Sequence, residues 1–361
     1  MPGQSTKPKS LAILLPSNKT LALYFLAACE KLQLYSPNTS IVWFASASLV
    51  PLIKLKPNIN IIELNQHGIS SITALRQEVK QYLTKNQITA FEQLVIAETT
   101  KRLPLLIAAI PAKQKSYFGQ AGFAVKLLAN QQLAISERGH ISDRAYTFLG
   151  AYLPEPTSSI DLSVFHPTID DQSQLWAAEQ LSFFPQSDKP MAIVQPFASD
   201  KEHSWHGEGF AKIVDHLAEQ GFNVVITGGE QLQEKLLAEQ IISLSASKPL
   251  NLVSKTSISQ FVALQHIAEF VISADSWPLH SAALTQTPVI SLFYHRNPKI
   301  WAASSYANYV VSGYQDAVQK QYKKPLAKLP WGIAPKGKQL MRGISVAQVK
   351  DKIRQLLADL Q

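Results

Sequence analysis

The 361-residue sequence has a single cysteine, Cys29, so a disulfide framework and a cysteine-rich zinc site are both excluded. No apolar run approaches the roughly 20 residues that a helix needs to span a bilayer. The basic N-terminal segment MPGQSTKPK is followed by SLAILL, which is too short for the apolar region of a signal peptide. We therefore expect a cytoplasmic protein in which Cys29 is a buried, inert thiol.

Acidic residues are absent between Asp316 and Asp351, in a chain whose net charge is +8. This interval contains the basic stretch, which runs from Lys320 to Arg342. A basic surface suits a phosphate-bearing partner such as anionic lipid, a phosphorylated glycolipid or nucleic acid. No recognisable nucleic-acid module accompanies it, so we expect no nucleic-acid partner. The alternative is a solvated loop without a partner.

The composition, with 46% hydrophobic and 17% charged residues, is that of a globular protein, and the length favours two domains. In the first half, the strand candidates SLAILL, SIVWFAS, INIIEL and TAFEQLVIA alternate with helical patterns. Thr20 is the predicted cap of the first helix, LALYFLAACEKLQLY. This β-α-β-α order predicts an α/β fold with a parallel, doubly wound sheet.

A Pro-, Ser- and Asp-rich segment separates the two halves, and we predict domains at 1–165 and 190–344 with a linker at 166–189. The alternation restarts with the strand candidates MAIVQPFA, NVVITGG, PLNLVS, FVISAD, PVISLF and NYVVSG. Gly221 predicts a left-handed helix stop, and Ser345 caps a final amphipathic helix at 345–361. Two such domains predict a cleft between them, with ligands at the carboxyl ends of the strands.

The segment FVISADSWPLHSAALTQTPVISLF contains the most informative strand end. Asp275 or Ser276 can cap the next helix, and Pro278 fits its first turn. The free N–H groups and positive dipole end of that helix suit a diphosphate, and His280 could add a donor. The alternative is an ordinary capped helix with a surface histidine.

This segment resembles the donor-binding signature of the lipopolysaccharide heptosyltransferases, which form glycosyltransferase family 9. Asp275, Ser276 and His280 match the signature in order, followed by Ala282, Ala283 and Pro288. The resemblance implies a GT-B fold, in which two Rossmann-like domains face each other across a cleft. It also implies an acceptor-side first domain, a donor-binding second domain and a last helix that packs back on the first domain.

By the same resemblance, three other segments of the second domain meet a nucleotide-sugar donor such as ADP-heptose. In QPFASDKEHSWHGEGF the nearest matches are Ser199, Lys201 and Trp205, and His203 competes with Lys201 for the cationic position. A cation there would stabilise charge on the departing nucleotide. The alternative is a solvated loop of mixed charge. We expect no metal, because cationic side chains and a helix start can stabilise the diphosphate and no paired Asp motif is present.

The other two segments are implied to lie beside the nucleoside. Gly228 and Gly229 form a turn that allows close backbone approach, and Glu230 starts the next helix. The segment VSKTSISQFVALQHIAEFVISAD resembles the strand and helix that form the base and ribose pocket, which implies that Thr256 lies near the nucleoside.

Two positions depart from the family. Its first loop reads Gly-Asp, with the Asp as proposed general base, but Thr20 and Leu21 stand at those positions. The nearest polar side chains of this acceptor loop are Ser17, Asn18, Lys19 and Thr20, and Lys19 could act as a base only with a strongly lowered pKa. Trp277 replaces a family glycine, and its indole could stack on the donor or block the site.

The sequence thus predicts an inverting glycosyltransferase that moves a heptose-like sugar from a nucleotide-diphospho-sugar to a lipopolysaccharide or other glycolipid acceptor. The basic stretch would face the anionic acceptor or the inner membrane. The alternative is a catalytically impaired relative that binds a sugar nucleotide or glycolipid, or scaffolds a partner. An NAD-linked oxidoreductase is disfavoured, because SLAILLPSNKT contains no glycine.

Overall fold

The computed structural model describes residues 10–64, 72–98, 103–152, 165–198, 200, 203–337 and 339–361. The chain divides into two compact units, Met1–Thr168 and Ile169–Gln361. Two predicted site residues, Ser199 and Lys201, lie outside the described residues. Among the helices that are described, none combines the length and apolar character needed to cross a bilayer.

Strands and helices alternate through the described part of the first unit. Its strands are β1 (Ser10–Leu14), β2 (Ser40–Ser46), β3 (Asn60–Leu64), β4 (Phe91–Ile96), β5 (Ala112–Phe118) and β6 (Gln131–Leu133). Its helices are α1 (Lys19–Tyr35), α2 (Val50–Ile53), α3 (Ile72–Lys85), α4 (Leu103–Ala109), α5 (Phe123–Leu128) and α6 (Asp143–Gly150). The strands form one parallel sheet in the order β3-β2-β1-β4-β5-β6. β1 is buried on both faces, which explains its continuous apolar sequence.

Helix α1 is apolar around most of its circumference, and Leu21 to Cys29 are all buried. The side chain of Asn18 accepts from the Leu21 N–H at 2.9 Å, so Asn18 is the cap. The prediction of Thr20 as the cap is wrong, because the helix starts at Lys19 and Thr20 lies in its first turn. Cys29 is buried as predicted, and burial raises the pKa of its thiol to about 12.

The second unit repeats this alternation. Its strands are β7 (Met191–Gln195), β8 (Asn223–Ile226), β9 (Leu250–Asn251), β10 (Phe270–Ala274), β11 (Val289–Phe293) and β12 (Val310–Ser312). Its helices are α7 (Asp171–Gln180), α8 (Gly207–Glu219), α9 (Leu232–Leu244), α10 (Ile258–Ile267), α11 (Trp277–Leu284), α12 (Pro298–Trp301), α13 (Tyr314–Tyr322) and α14 (Val346–Asp359). Gly221 has a φ of +89°, which confirms the predicted left-handed stop after α8.

The two sheets share one topology. The second sheet is parallel, in the order β12-β11-β10-β7-β8-β9, so β7 pairs with β8 and β10 as β1 pairs with β2 and β4. The predicted doubly wound parallel sheets are therefore confirmed. In each sheet the strand order reverses between the first and fourth strands, and ligands of open α/β sheets bind outside the carboxyl ends at such a point.

The predicted linker at 166–189 contains a helix, and the predicted packing of the last helix on the first domain stays a prediction. Residues 166–189 contain α7, which packs on α10, and the Ser259 hydroxyl donates to the carboxylate of its cap, Asp170, at 2.6 Å. Helix α14 packs on α8, and its apolar stripe of Val349, Ile353 and Leu356 belongs to the core of the second unit. This stripe has helical spacing, so α14 can bury one whole face in its own unit.

Candidate active site

The carboxylate of Asp275 forms a buried ion pair with Arg296. Asp275 is the first residue after β10, and Arg296 follows the neighbouring strand β11. Both Nε and Nη2 of Arg296 donate to the carboxylate, in a bidentate geometry. The side chain of Asp275 is 5% exposed and that of Arg296 is 27% exposed. Burial raises the pKa of Asp275, and the guanidinium opposes that rise.

Further basic and aromatic groups surround this pair. The rings of His203 and His295 are stacked with centroids 4.2 Å apart, and His203 interacts electrostatically with Asp275. The Arg296 guanidinium lies 4.0 Å from the centroid of the Trp301 ring, a cation–π contact. His203, one of two predicted cationic residues, is thus placed beside Asp275. We call this group at the carboxyl ends of the second sheet the Asp275 edge.

Helix α11 begins at the Asp275 edge. Ser276 is its N-cap residue, but its hydroxyl donates to the Ala274 carbonyl at 3.3 Å and makes no cap bond. Pro278 occupies the first turn as predicted. No side chain caps the start of α11, although the Leu279 N–H donates to the Ser276 carbonyl at 3.3 Å. The positive end of the helix dipole at this point favours an anion.

Two predicted residues of α11 point to packing contacts. Trp277 is half-buried and meets Phe261 of α10 edge-on, with centroids 5.3 Å apart. His280 is only 1% exposed and is one of the buried residues of α11. The proposed contact of His280 with a phosphate oxygen stays a prediction, as does the proposed contact of Trp277 with the donor.

The Gly228–Gly229 turn follows β8 and packs closely. A Cβ at Gly228 would overlap the Phe197 ring, which explains the glycine. Ser254 binds the turn twice: its N–H donates to the Gly228 carbonyl at 3.0 Å, and its hydroxyl donates to the Gly229 carbonyl at 2.8 Å. The half-buried Thr256 follows in the same loop, so the two predicted nucleoside segments are neighbours.

Glu230 is exposed and does not start the next helix, which corrects the prediction: Gln231 is the N-cap residue and α9 begins at Leu232. A cavity of about 710 Å³ lies at the starts of α8 and α9, where Trp205 and Arg342 line it. Trp205 is one of the residues matched to a donor-binding segment, but none of the residues that form the Asp275 edge lines this cavity.

The loop after β1 binds a carboxylate that the sequence prediction missed. The Ser17 N–H donates to Glu98 Oε2 at 2.8 Å, and the Ser17 hydroxyl donates to Oε1 at 2.8 Å. The Asn18 N–H also donates to Oε2, at 3.1 Å. Glu98 follows β4, the strand that pairs with β1. We call this group at the carboxyl ends of the first sheet the Glu98 edge.

Arg144 adds a positive charge to the Glu98 edge. Its Nη1 donates to the Ala97 carbonyl at 3.0 Å. Burial lowers the pKa of Arg144, and the negative charge of Glu98 opposes that effect. Lys19 and Thr20, the other predicted residues of this loop, are half-buried in the first turn of α1. The assignment of Lys19 as a base stays a prediction.

One signal could have found the missed residues. Glu98 directly follows the predicted strand TAFEQLVIA, and His295 and Arg296 come just after PVISLF. Polar residues at the carboxyl ends of parallel strands meet at one edge of the sheet. In the part of the chain that the structure describes, no group of three or more His, Cys, Asp or Glu residues could hold a metal ion. The described residues supply a fixed carboxylate at the Glu98 edge and a guanidinium beside a helix start at the Asp275 edge.

Comparisons with known proteins agree in sequence and in fold. The model of glycosyltransferase family 9 (heptosyltransferase) matches residues 124–330, more than half of the chain. The lipopolysaccharide core heptosyltransferase OpsX of Haemophilus influenzae is 28% identical over 362 aligned residues, which cover 99% of each chain. A family 9 glycosyltransferase of Veillonella parvula has a TM-score of 0.80 at 19% identity, covering 99% of each chain. Escherichia coli heptosyltransferase WaaC, solved with ADP, has a TM-score of 0.69 at 15% identity, covering 96% of this chain and 99% of its own.

Proposed function

The chain belongs to glycosyltransferase family 9, the heptosyltransferases, and we propose that it transfers a heptose-type sugar from a nucleotide-diphospho-sugar to a lipopolysaccharide acceptor, with inversion. Its homologue OpsX is a lipopolysaccharide core heptosyltransferase. ADP-heptose is the donor we propose, supported by the solved relative WaaC, whose structures contain ADP and an ADP-linked fluoro heptose. The predicted family and enzyme class are confirmed.

The observation that carries this proposal is the pairing of Asp275 and Arg296 beside the start of α11. During transfer the bond between the sugar and the diphosphate breaks, and negative charge builds on the departing nucleotide. A guanidinium held by a buried carboxylate is fixed before the reaction, so it needs no reorientation when that charge appears. The N–H groups of the helix start and the neighbouring His203 would add to this stabilisation.

No metal is needed in this scheme, and we propose that the donor binds without one. The charge that a divalent cation would supply is provided by Arg296 and the basic residues around it. In this scheme Asp275 holds the Arg296 guanidinium in place and does not face the donor, because a carboxylate would repel the diphosphate. Full transfer activity in the presence of a chelator, measured against an untreated sample, tests this part of the proposal.

We further propose that the chain works at the cytoplasmic face of the inner membrane, which the basic stretch would contact. Its described lysines are exposed, and each Lys or Arg near an anionic bilayer contributes about 1 kcal/mol. We expect co-sedimentation with anionic phospholipid vesicles that weakens with salt and in K320Q/K323Q/K324Q. The control K54Q/K80Q/K85Q, which removes three exposed lysines of the first unit, should bind like the wild type.

The decisive experiment incubates the purified protein with ADP-heptose and lipopolysaccharide that lacks core heptose. We expect ADP release together with an acceptor heavier by one heptosyl residue, and an anomeric configuration opposite to that of the donor. UDP-sugars serve as the control donors. Absence of transfer from every donor tried would overturn the proposed function.

The second candidate is a relative that binds the donor without transferring it. Leu21 favours this reading, because it stands where the family sequence places an acidic residue. Calorimetric titration with ADP-heptose in parallel with the transfer assay separates the two functions. Binding without product supports the second, and product formation excludes it.

A further inference from the structure

We propose that Glu98 is the general base that accepts the proton of the acceptor hydroxyl. This inference rests on the proposed glycosyl transfer and supplies the group that an inverting reaction needs on the acceptor side. Leu21, which is buried in the first turn of α1, stands at the position where the family sequence has an acidic residue. Glu98 reaches the acceptor loop from a different strand.

The hydrogen bonds of Glu98 fix its carboxylate in one orientation. Oε2 accepts from two backbone N–H groups, those of Ser17 and Asn18, at 2.8 and 3.1 Å. Oε1 accepts from the Ser17 hydroxyl at 2.8 Å. A carboxylate oxygen has two lone pairs, so Oε1 keeps capacity for the hydroxyl of a substrate. Ser17 is exposed and Glu98 is half-buried, which leaves this side of the carboxylate accessible to a ligand.

The topology places Glu98 where the first sheet would bind a ligand. It follows β4, and the loop that it contacts follows β1, so the two flank the point at which the strand order reverses. In the second sheet, Asp275 follows the corresponding strand β10. The two acidic residues therefore occupy matching places in a repeated topology. They differ in partners, since Asp275 is paired with a guanidinium and Glu98 with a hydroxyl and backbone amides.

The proton and electron balance of the step is complete without another reactant. The acceptor oxygen forms a bond to the anomeric carbon of the donor, and its proton moves to Oε1 of Glu98. The bond from the anomeric carbon to the diphosphate oxygen breaks, and its electron pair leaves with the nucleoside diphosphate. Solvent then removes the proton from Glu98. The charge of Arg144 interacts with that of Glu98.

A purely structural role makes different predictions. Glu98 could serve only to bind the N–H groups of Ser17 and Asn18 just before α1, as carboxylates do at helix starts. In that case its loss would lower stability and leave the chemical step intact. The two roles are separated by measuring unfolding, donor binding and turnover on the same variants.

The test compares E98Q, E98D and E98A with the wild type, using ADP-heptose and lipopolysaccharide that lacks core heptose. E137Q is the matched control, because Glu137 is an exposed carboxylate of the same unit. We expect kcat of E98Q to fall by about 10²–10⁴-fold, the usual contribution of a general base, while its affinity for ADP is unchanged. E98D should retain part of the rate. The kcat of the wild type should decline toward acid pH, and that of E98Q should not.

Chemical rescue provides the readout that a structural role would not change. Formate added to E98A should restore part of the transfer rate, because a small carboxylate can enter the vacated space and accept the proton. A wild type that transfers sugar and an E98Q variant within about threefold of its kcat would overturn the inference alone. A wild type without transfer would overturn the proposed function and this inference together.

Discussion

In both units an acidic residue follows the fourth strand of a parallel sheet, beside the point where the strand order reverses. At the Glu98 edge, the carboxylate binds the start of α1 and takes up N–H groups that could otherwise meet an anion. At the Asp275 edge, the carboxylate turns to Arg296 of the neighbouring strand, and the start of α11 has no capping side chain. One edge thus presents a carboxylate, and the other presents a cation beside the start of a helix.

The difference shows that the topology of the sheet decides where a site lies. The partner of the acidic residue then decides whether that site presents a negative or a positive charge. A diphosphate is repelled by a carboxylate and attracted by a guanidinium, so it suits the Asp275 edge. A neutral hydroxyl that must lose a proton suits the Glu98 edge. The experiments that follow separate these two contributions.

The largest expected effect comes from breaking the ion pair with D275N. Loss of one partner of a buried pair costs about 3–5 kcal/mol, and we expect the lower end because Arg296 is 27% exposed. Urea unfolding measures the change in the free energy of unfolding. The double variant D275N/R296Q should recover part of that loss, because it leaves no unpaired charge, but ADP binding should stay weak. A D275N variant as stable as the wild type would contradict the buried pair.

The next effect concerns affinity for the nucleotide. R296Q removes the positive charge that we expect to contact the diphosphate, and hydrogen bonds to charged groups contribute about 1.5–3 kcal/mol. The Kd for ADP should therefore rise about 10–100-fold in calorimetric titration. R354Q is the control, since Arg354 forms an exposed pair with Asp351 and is 77% exposed. Equal Kd values for R296Q and the wild type would remove the diphosphate from the Asp275 edge.

A smaller effect is expected at the Glu98 edge from S17A. The variant deletes the hydroxyl that donates to Oε1 and leaves both backbone donors in place. One such hydrogen bond contributes about 1 kcal/mol, so kcat should fall about fivefold while the Kd for ADP stays constant. S17T keeps a hydroxyl and should act like the wild type. A change in ADP affinity rather than in kcat would show that this loop serves the donor.

The alternation of elements and the donor-binding strand end could be predicted from the sequence, because they depend on local signals. Buried strands such as SLAILL are continuous apolar runs, and Pro278 marks the start of α11. Gly221 marks the end of α8 for a similar reason, since its φ is positive. Each of these residues acts through its own backbone or its nearest neighbours in the chain.

The partners of the site residues could not be predicted, because they come from distant strands. Glu98 contacts Ser17, and Arg296 contacts Asp275, only after the sheets have formed. The packing partner of α14 could not be predicted from the sequence, because an amphipathic stripe shows that a face is buried without showing against what. The segment 166–189 looked like a linker because of its prolines, although α7 within it packs on the second unit.

The smallest expected effect tests which unit contains α14. Ser345 and Gln348 form a capping box, in which the Gln348 N–H donates to the Ser345 hydroxyl at 3.2 Å and the Ser345 N–H donates to the Gln348 side chain at 2.8 Å. S345A should cost about 1 kcal/mol and should speed hydrogen exchange in α14 and α8. S345D keeps a cap acceptor and should exchange like the wild type.

Alkylation of Cys29 reports whether the S345A variant also affects the first unit. Cys29 is buried in α1, and the raised pKa of its thiol makes alkylation dependent on opening of that unit. Because Val349, Ile353 and Leu356 pack in the core of the second unit, S345A should leave the alkylation rate of Cys29 unchanged. Faster alkylation together with faster exchange in α14 would mean that the last helix stabilises both units.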